Sequence, residues 1–224
     1  MQRQSALQKQ FLQEATLRYA TSLRGSPAGE YLNTRGLLAP SIDRDPFLFG
    51  YVANPLPGHE MFRGWLSIPY LRRMRGRPLT VVSIRFRCIE DHEHEGHGKY
   101  MTLPGDRPRL YNTVDLLDSS PTICIVEGEL DAATLRLCGI RAVGVPGAEN
   151  WLPHFPEPFR GYETVYALGD GDDAGQRFTR TVVGGVKGKI PPLANGKIIP
   201  FAPGEDANSI YVSQGRDALL ERFK

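Results

Sequence analysis

Long apolar runs are missing from this sequence. No stretch approaches the roughly 18 residues that cross a bilayer, and the opening Met1-Gln2-Arg3-Gln4-Ser5 is too polar for a signal peptide, so no membrane association is expected. Cysteine is scarce as well. Cys88, Cys124 and Cys138 are odd in number, widely spaced and without a Cys-x-x-Cys pair, which leaves neither a disulfide framework nor a zinc ribbon within the chain. The reducing cytoplasm is the expected compartment. There is no internal repeat and no low-complexity tract. What is present is the composition of a folded chain, with 41% hydrophobic and 23% charged residues. Its 224 residues make one large domain or two small ones and can bury roughly 70% of the unfolded surface without covalent staples.

The net charge of +2 conceals an asymmetry. Residues 1–112 hold 16 Lys and Arg against 10 Asp and Glu, and residues 113–224 hold 11 against 15, giving +6 and −4. Between Met61 and Ile89 lie seven arginines, Arg63, Arg72, Arg73, Arg75, Arg77, Arg85 and Arg87, and no acid. Such a division fits a polyanion held by one half and cations by the other; a solvated basic face is the plainer alternative.

Apolar residues Leu7, Phe11, Leu12, Ala15, Tyr19 and Leu23 recur at mostly helical intervals and predict a helix over Ser5 to Leu23. A shorter helix is expected over Ala28 to Arg35, stopped by Gly36. Trp65 to Pro69 reads as a strand ending at proline, and Val81 to Cys88 as a clearer one. Its alternation puts Val82, Ile84, Phe86 and Cys88 on one face and projects Arg85 and Arg87 side by side from the other. After Asn112, short β-branched runs alternate with helical stretches, the pattern of a parallel sheet with crossover helices. Strands are expected over Thr122 to Val126, Ala142 to Val145, Thr164 to Leu168 and Lys197 to Phe201, and helices over Glu129 to Cys138, Ala174 to Val186 and Gly215 to Phe223. Two subdomains joined near Tyr111 to Asp118 are the simplest division.

Two of these strands run into acids, where open parallel sheets place their ligands. Ile125-Val126 leads to Glu127-Gly128-Glu129-Leu130-Asp131, and Ala167-Leu168 leads to Gly169-Asp170-Gly171-Asp172-Asp173-Ala174-Gly175. Asp170 and Asp172, two apart, point to one side of an extended or tightly turned backbone, as carboxylates sharing a divalent cation must. An oxygen-only donor set favours Mg²⁺ or Mn²⁺ over zinc. A surface turn would explain one Asp-Gly segment alone, but not two acid-tipped strands converging at one sheet edge. The loop is no EF-hand, because Thr181 stands where the closing Glu belongs.

These segments resemble the TOPRIM domain shared by primases and topoisomerases. Val126 to Ala148, Asp170 to Gly175 and Ala202-Pro203-Gly204-Glu205-Asp206-Ala207-Asn208 are similar to the corresponding parts of DnaG-type primases. So are Glu30 to Leu37, Phe62-Arg63, Ile68-Pro69, Arg75-Gly76-Arg77, Lys99-Tyr100 and Leu110-Tyr111-Asn112 upstream. The resemblance implies an α/β architecture: a basic α+β, RNA-polymerase-like subdomain over residues 1–112, then a TOPRIM domain over 113–224 with a mostly parallel sheet flanked by helices. It implies template-directed synthesis of short RNA primers on single-stranded DNA from ribonucleoside triphosphates, using Mg²⁺ or Mn²⁺. Catalytic roles fall on Glu127, Asp170 and Asp172, and further metal support on Asp131, Glu205 and Asp206. Nucleotide and template contacts fall on Arg87 and Lys99, with Arg63 and Arg85.

The chain departs from the family in carrying Arg85 and Phe86 where glycines are usual, and Asn208 where a further acid is common. The family's zinc-binding and helicase-binding domains have no room here, so a separate zinc module and a replicative helicase become expected partners, in a phage or plasmid replication setting. The rivals are TOPRIM nuclease or topoisomerase-type phosphodiester cleavage, which the same acids could serve, and a non-catalytic, recombination-mediator-like binding module. Cys88, His92, His94 and His97 lie close in sequence, but Glu90 to Gly98 reads as a solvated loop joining the basic strand to Lys99 rather than as a zinc site. Trp151, with Pro153, Pro156 and Pro158, reads as a packed loop rather than a base-stacking platform.

Overall fold

The computed structural model describes residues 4–74, 76 and 78–223, so Arg75 and Arg77 of the basic run lie outside the described residues. The chain divides into two compact units, Met1–Arg107 and Pro108–Lys224. Among the described residues no helix is long and apolar enough to cross a membrane.

The first unit packs two helices, α1 (Ala6–Thr21) and α2 (Pro27–Thr34), against an antiparallel sheet of β1 (Gly50–Tyr51), β2 (Leu66–Arg72), β3 (Thr80–Arg87) and β4 (Tyr100–Met101), in that order. Ser5 starts α1 with a capping box closed by Gln8, satisfying backbone N–H groups that have no partner within the helix. The backbone of α1 lies so close to β1 that a Cβ on Gly50 would sit 2.5 Å from the Tyr19 carbonyl carbon. Beneath it the Phe62 and Phe86 rings stack at 3.9 Å. The buried Tyr19 hydroxyl bonds His59 Nδ1 at 2.8 Å and accepts the Leu56 N–H at 3.0 Å, which satisfies the hydroxyl inside an aromatic core while His59 Nε2 has no hydrogen-bond partner.

Two details differ from the expectation. Strand β2 does not stop at Pro69 but runs on to Arg72, with Pro69 opposite Ile84. β1 pairs only with Leu66 and Ser67, so farther along β2 a residue without an N–H is tolerated on the side β1 leaves. The register then slips: Tyr70 faces Ser83 but Leu71 faces Val81, leaving Val82 as a bulge. Val81 rather than Val82 is therefore the buried member, and the expected alternation holds only from Ile84 onward.

The second unit is a four-stranded parallel sheet in the order β6 (Ala142–Gly144), β5 (Thr122–Val126), β7 (Thr164–Leu168), β8 (Gly196–Ile198). Helix α3 (Glu129–Leu137) follows β5 and α4 (Asp173–Gly184) follows β7, as β-α alternation requires. Ile123, Ile125, Val143, Val165 and Ala167 meet Phe178 and Val182 in the core, together with Trp151, Phe155 and Phe159. Trp151 is thus a packed loop residue. The last strand is shorter than expected and starts one residue earlier, at Gly196, because Pro200 and the turn that follows cannot extend a ladder. Two helices close the chain, α5 (Ala207–Gln214) and α6 (Arg216–Glu221), of which α5 was not foreseen.

The segment Tyr111–Asp118 belongs to this second unit. Tyr111 bridges to Gly144, and Asn112, held at φ +55°, donates from Nδ2 to the Ala142 carbonyl and to Asp115 Oδ2, both at 2.8 Å. Asp115, 2% exposed, also accepts the Ala142 N–H at 3.1 Å and pairs with Arg136 of α3. This polar knot ties the entry segment to β6 and α3.

Candidate functional site

Strands β5 and β7 are direct neighbours in register, with Val126 opposite Leu168. The residues that follow each strand therefore emerge at the same edge, which sets Glu127 beside the Gly169-Asp170 turn. Glu127 and Asp170 are partly buried. Burial first, then the charges of Asp170 and Asp172, pushes Glu127 from 4.5 up to about 7, against weaker opposing pulls from the Asp170 backbone N–H and Arg177. Burial, then Asp206, then Asp172, pushes Asp170 from 3.8 up to about 6. Glu127 Oε2 is buried with no hydrogen-bond partner. Burial and neighbouring acids thus both act against the charged forms of Glu127 and Asp170, and one buried oxygen has no partner.

The glycines explain how the acids come so close. A Cβ on Gly169 would lie 2.3 Å from the Gly175 carbonyl oxygen, and one on Gly175 would lie 2.1 Å from that of Asp170, so the turn into α4 folds onto itself only when both lack side chains. Gly171 is clamped from the other side. Its N–H donates to Glu205 O at 2.7 Å, its carbonyl accepts from Gly204 N–H at 3.0 Å, and a Cβ there would overlap the Ala202 carbonyl oxygen at 1.9 Å. That clamp delivers Asp206 to the Asp170 side of the sheet.

Each remaining acid has a defined local role. Asp172 caps α4, accepting the Gly175 N–H on Oδ1 at 2.7 Å. Asp206 caps α5 in a box with Ser209, whose N–H it accepts at 2.5 Å. Asp131, in the first turn of α3, accepts the Asn208 N–H at 3.1 Å, while Asn208 Nδ2 donates to Thr134 Oγ1 at 2.9 Å. Asn208 thus docks α5 on α3. Glu205 accepts the Ala202 N–H at 3.1 Å and meets Arg222 at 3.3 Å. Glu127, Asp170, Asp172 and Asp206 form one electrostatic group, while Glu205 and Asp131 are engaged by neighbouring chain.

In the first unit, the Arg85 and Arg87 guanidinium groups both lie 4.7 Å from the centre of the Tyr100 ring. They do stand side by side. Arg87, only 8% exposed, also lies over Tyr31 at 5.0 Å and donates to the Tyr100 hydroxyl, while its Nε has no hydrogen-bond partner. Arg35, on the opposite edge of this cluster, stacks on Tyr31 at 4.9 Å. The Lys99 amine is held below the ordinary lysine range by Arg87 first, then by burial and Arg35. Arg35 was not among the expected contacts; its place in the Tyr31-x-x-x-Arg35 helical spacing is the signal that could have found it. Arg63 points elsewhere, donating to the Ala53 carbonyl at 2.8 Å.

No protein-family model matches the chain. The Gene 57 protein of Mycobacterium phage D29 is 51% identical over 163 residues, spanning 73% of this chain and the whole of that protein. A DNA primase of Pseudomonas putida is 24% identical over 175 residues, and the match spans a quarter of the primase, 25%. Among solved structures, the RNA polymerase domain of Mycobacterium tuberculosis primase DnaG, in complex with a double-stranded DNA oligomer with a 6-nucleotide overhang, superposes with a TM-score of 0.73 at 18% identity. That likeness covers 98% of this chain and 80% of the domain. The chain belongs to the family of the mycobacteriophage D29 Gene 57 protein and has the α/β fold of the DnaG primase catalytic core.

Proposed function

We propose that the chain is a primase catalytic core that synthesises short RNA primers on single-stranded DNA from ribonucleoside triphosphates. The observation that carries this reading is the convergence of Glu127 and Asp170 at adjacent strand ends, with Asp172 and Asp206 in the same electrostatic group. The oxygen-only donors, the orphaned Glu127 Oε2 and the raised carboxyl pKa values fit a divalent cation. Asp170 and Asp172 would hold Mg²⁺ or Mn²⁺, and Asp206, Asp131 and Glu205 would lend outer support. Such an ion supplies neutralisation of the charge that spreads over the α-phosphate during in-line attack by a 3′-hydroxyl.

The protein's own groups do the rest. Glu127 either joins Asp170 and Asp172 as a ligand or, left off the ion, assists deprotonation of the attacking hydroxyl, a role that its ion-free pKa of about 7 would suit. Asp172 and Asp206 are immobilised by their capping bonds, so the acids are pre-positioned rather than recruited. Arg87 and Lys99, flanked by Arg85 and Arg35, offer phosphate contacts on aromatic supports, while Arg63, tied to the Ala53 carbonyl, stands apart from them. This reading calls for a separate zinc-binding module to select template starts and for a replicative helicase. With a phage relative, the activity would belong in the cytoplasm of an infected bacterium.

The test is incorporation of labelled ribonucleotides on single-stranded templates, with the same substrates followed for cleavage. Glu127→Gln and Asp170→Asn should each lose incorporation with an unchanged circular dichroism spectrum. Full synthesis by either variant would overturn the assignment, and metal-dependent cleavage without synthesis would favour a nuclease.

A further inference from the structure

The connection between β3 and β4 contains a second constellation of ligand-type side chains, in the first unit and unrelated to the carboxylates. Cys88 stands at the end of β3, and its N–H continues the ladder by donating to the Lys99 carbonyl at 3.0 Å. From there Glu90 to Gly98 offers no apolar side chain that could anchor it. The loop nevertheless folds back on itself, turning at Gly96 with φ +83°. The ligand atoms of Cys88, His92, His94 and His97 all lie within 4.8 Å of one another, and Cys88 Sγ and His92 Nε2 are 3.4 Å apart. Pairs of the three imidazoles lie 4.8, 5.2 and 5.3 Å apart between ring centres. The loop is still largely exposed, as expected of a solvated connection, but it gathers these four side chains together.

We propose that Cys88, His92, His94 and His97 bind Zn²⁺ as a four-ligand structural site that closes the β3–β4 hairpin. Four protein ligands leave no open position for a reacting water, so the role is to hold the loop. Tetrahedral zinc with bonds of 2.0 to 2.3 Å sets its ligand atoms about 3.3 to 3.6 Å apart. The Cys88–His92 separation already meets that spacing, and the widest of the others, 4.8 Å at most, needs to close by up to about 1.5 Å. The outer contacts agree. His92 Nδ1 lies 2.7 Å from the Glu93 carbonyl and His97 Nδ1 lies 3.2 Å from that of Gly98, so each ring can give its Nδ1 proton to backbone and turn Nε2 to the metal. His94 Nδ1 is buried without a hydrogen-bond partner, a cost that ligation removes. The Trp65 ring lies 5.0 Å from that of His97 and shields one side. Mg²⁺ and Mn²⁺ are disfavoured by a thiolate and imidazole set, which separates this site from the carboxylates.

The test uses the full chain purified without a histidine tag. Elemental analysis should find about one zinc per chain, retained through dialysis against Mg²⁺. Replacement by Co²⁺ should give the ligand-field bands of a tetrahedral site and a thiolate charge-transfer band. Cys88→Ser should abolish that band, and His94→Asn should cut zinc content at least tenfold. Asp170→Asn should keep all of it. Stripping the wild type with a strong chelator, which needs no variant to fold, should open the bonds between residues 88 and 98 to proteolysis. A natively folded wild-type chain that holds less than about a tenth of a zinc and shows no cobalt charge transfer would overturn the proposal. So would wild-type zinc content in both Cys88→Ser and His94→Asn, or its loss in Asp170→Asn.

Discussion

Raising the pH from about 5 to about 8 in the presence of chelator should destabilise the second unit, and most of the loss should trace to two carboxyls. Burial and neighbouring acids push Glu127 from 4.5 to about 7 and Asp170 from 3.8 to about 6. A carboxyl whose pKa is higher in the folded state than in the unfolded one binds its proton more tightly when folded. Its contribution is complete below the unfolded value, near 4, and drains away as the pH climbs through 6 and 7. Each rise corresponds to about 3 kcal/mol at 1.36 kcal/mol per pH unit. Both touch solvent, and part of the Asp170 contribution is already lost below pH 5, so their combined effect over this range is nearer about 2–3 kcal/mol. Urea unfolding at constant m-value between those pH limits measures it directly. Asp170→Asn removes one charge from the group, so it should be more stable than the wild type at about pH 8 and show about half the pH slope. Saturating Mn²⁺ should flatten the wild-type slope in the same way. An Asp170→Asn variant with the full wild-type slope would refute the account of a self-repelling acid site.

Further outcomes follow from the same geometry. Gly171→Ala drives a Cβ into the Ala202 carbonyl and strains two backbone hydrogen bonds, at a cost of about 2–4 kcal/mol. Thermal melting should fall by several degrees, and an unmoved midpoint would show that the clamp yields freely. Asp115→Ala strands the Ala142 N–H and takes the carboxylate from beside Arg136, and should cost about 3 kcal/mol in urea unfolding, with Asp115→Asn milder. A loss below about 0.5 kcal/mol would mean the polar knot is not structural. Arg87→Ala should weaken single-stranded DNA binding and reduce the slope of log affinity against log salt by about one ion. An unchanged slope would remove Arg87 from the phosphate contacts.

The second unit was the more legible in sequence, and the reason is physical. Central parallel strands are largely covered, Thr122–Val126 on both faces past its first residue and Thr164–Leu168 mainly on one, so they appear as short apolar runs with sharp polar ends. Their acids stand out because Glu127 and Asp170 interrupt apolar patterns at corresponding ends. Helix α5 escaped notice because its eight residues carry almost no amphipathic pattern; its one local signal was the Asp206-x-x-Ser209 cap. The bulge at Val82 depends on how two strands slide past each other, which neither strand's own pattern encodes. Arg35 and Lys99 reach Arg87 only through tertiary folding. Cys88, His92, His94 and His97 are close in sequence, but Cys-x-x-x-His-x-His-x-x-His matches no common ligand spacing, and their ligand atoms come together only in the folded hairpin.

Asp172 does two things with one carboxylate. Oδ1 accepts the Gly175 N–H, and the Asp172 carbonyl accepts the Gln176 N–H at 3.0 Å, so the first turn of α4 hangs from this residue. A cation drawn to the same side chain would therefore be bound through the helix's own fastening. Its arrival should be readable far from any phosphate, as slower hydrogen exchange at the Gly175 and Gln176 amides. Alanine at this position would loosen the helix and discharge the site together. Asparagine would keep the fastening and lose only the charge, which makes it the substitution that tells the architecture of this corner from its chemistry.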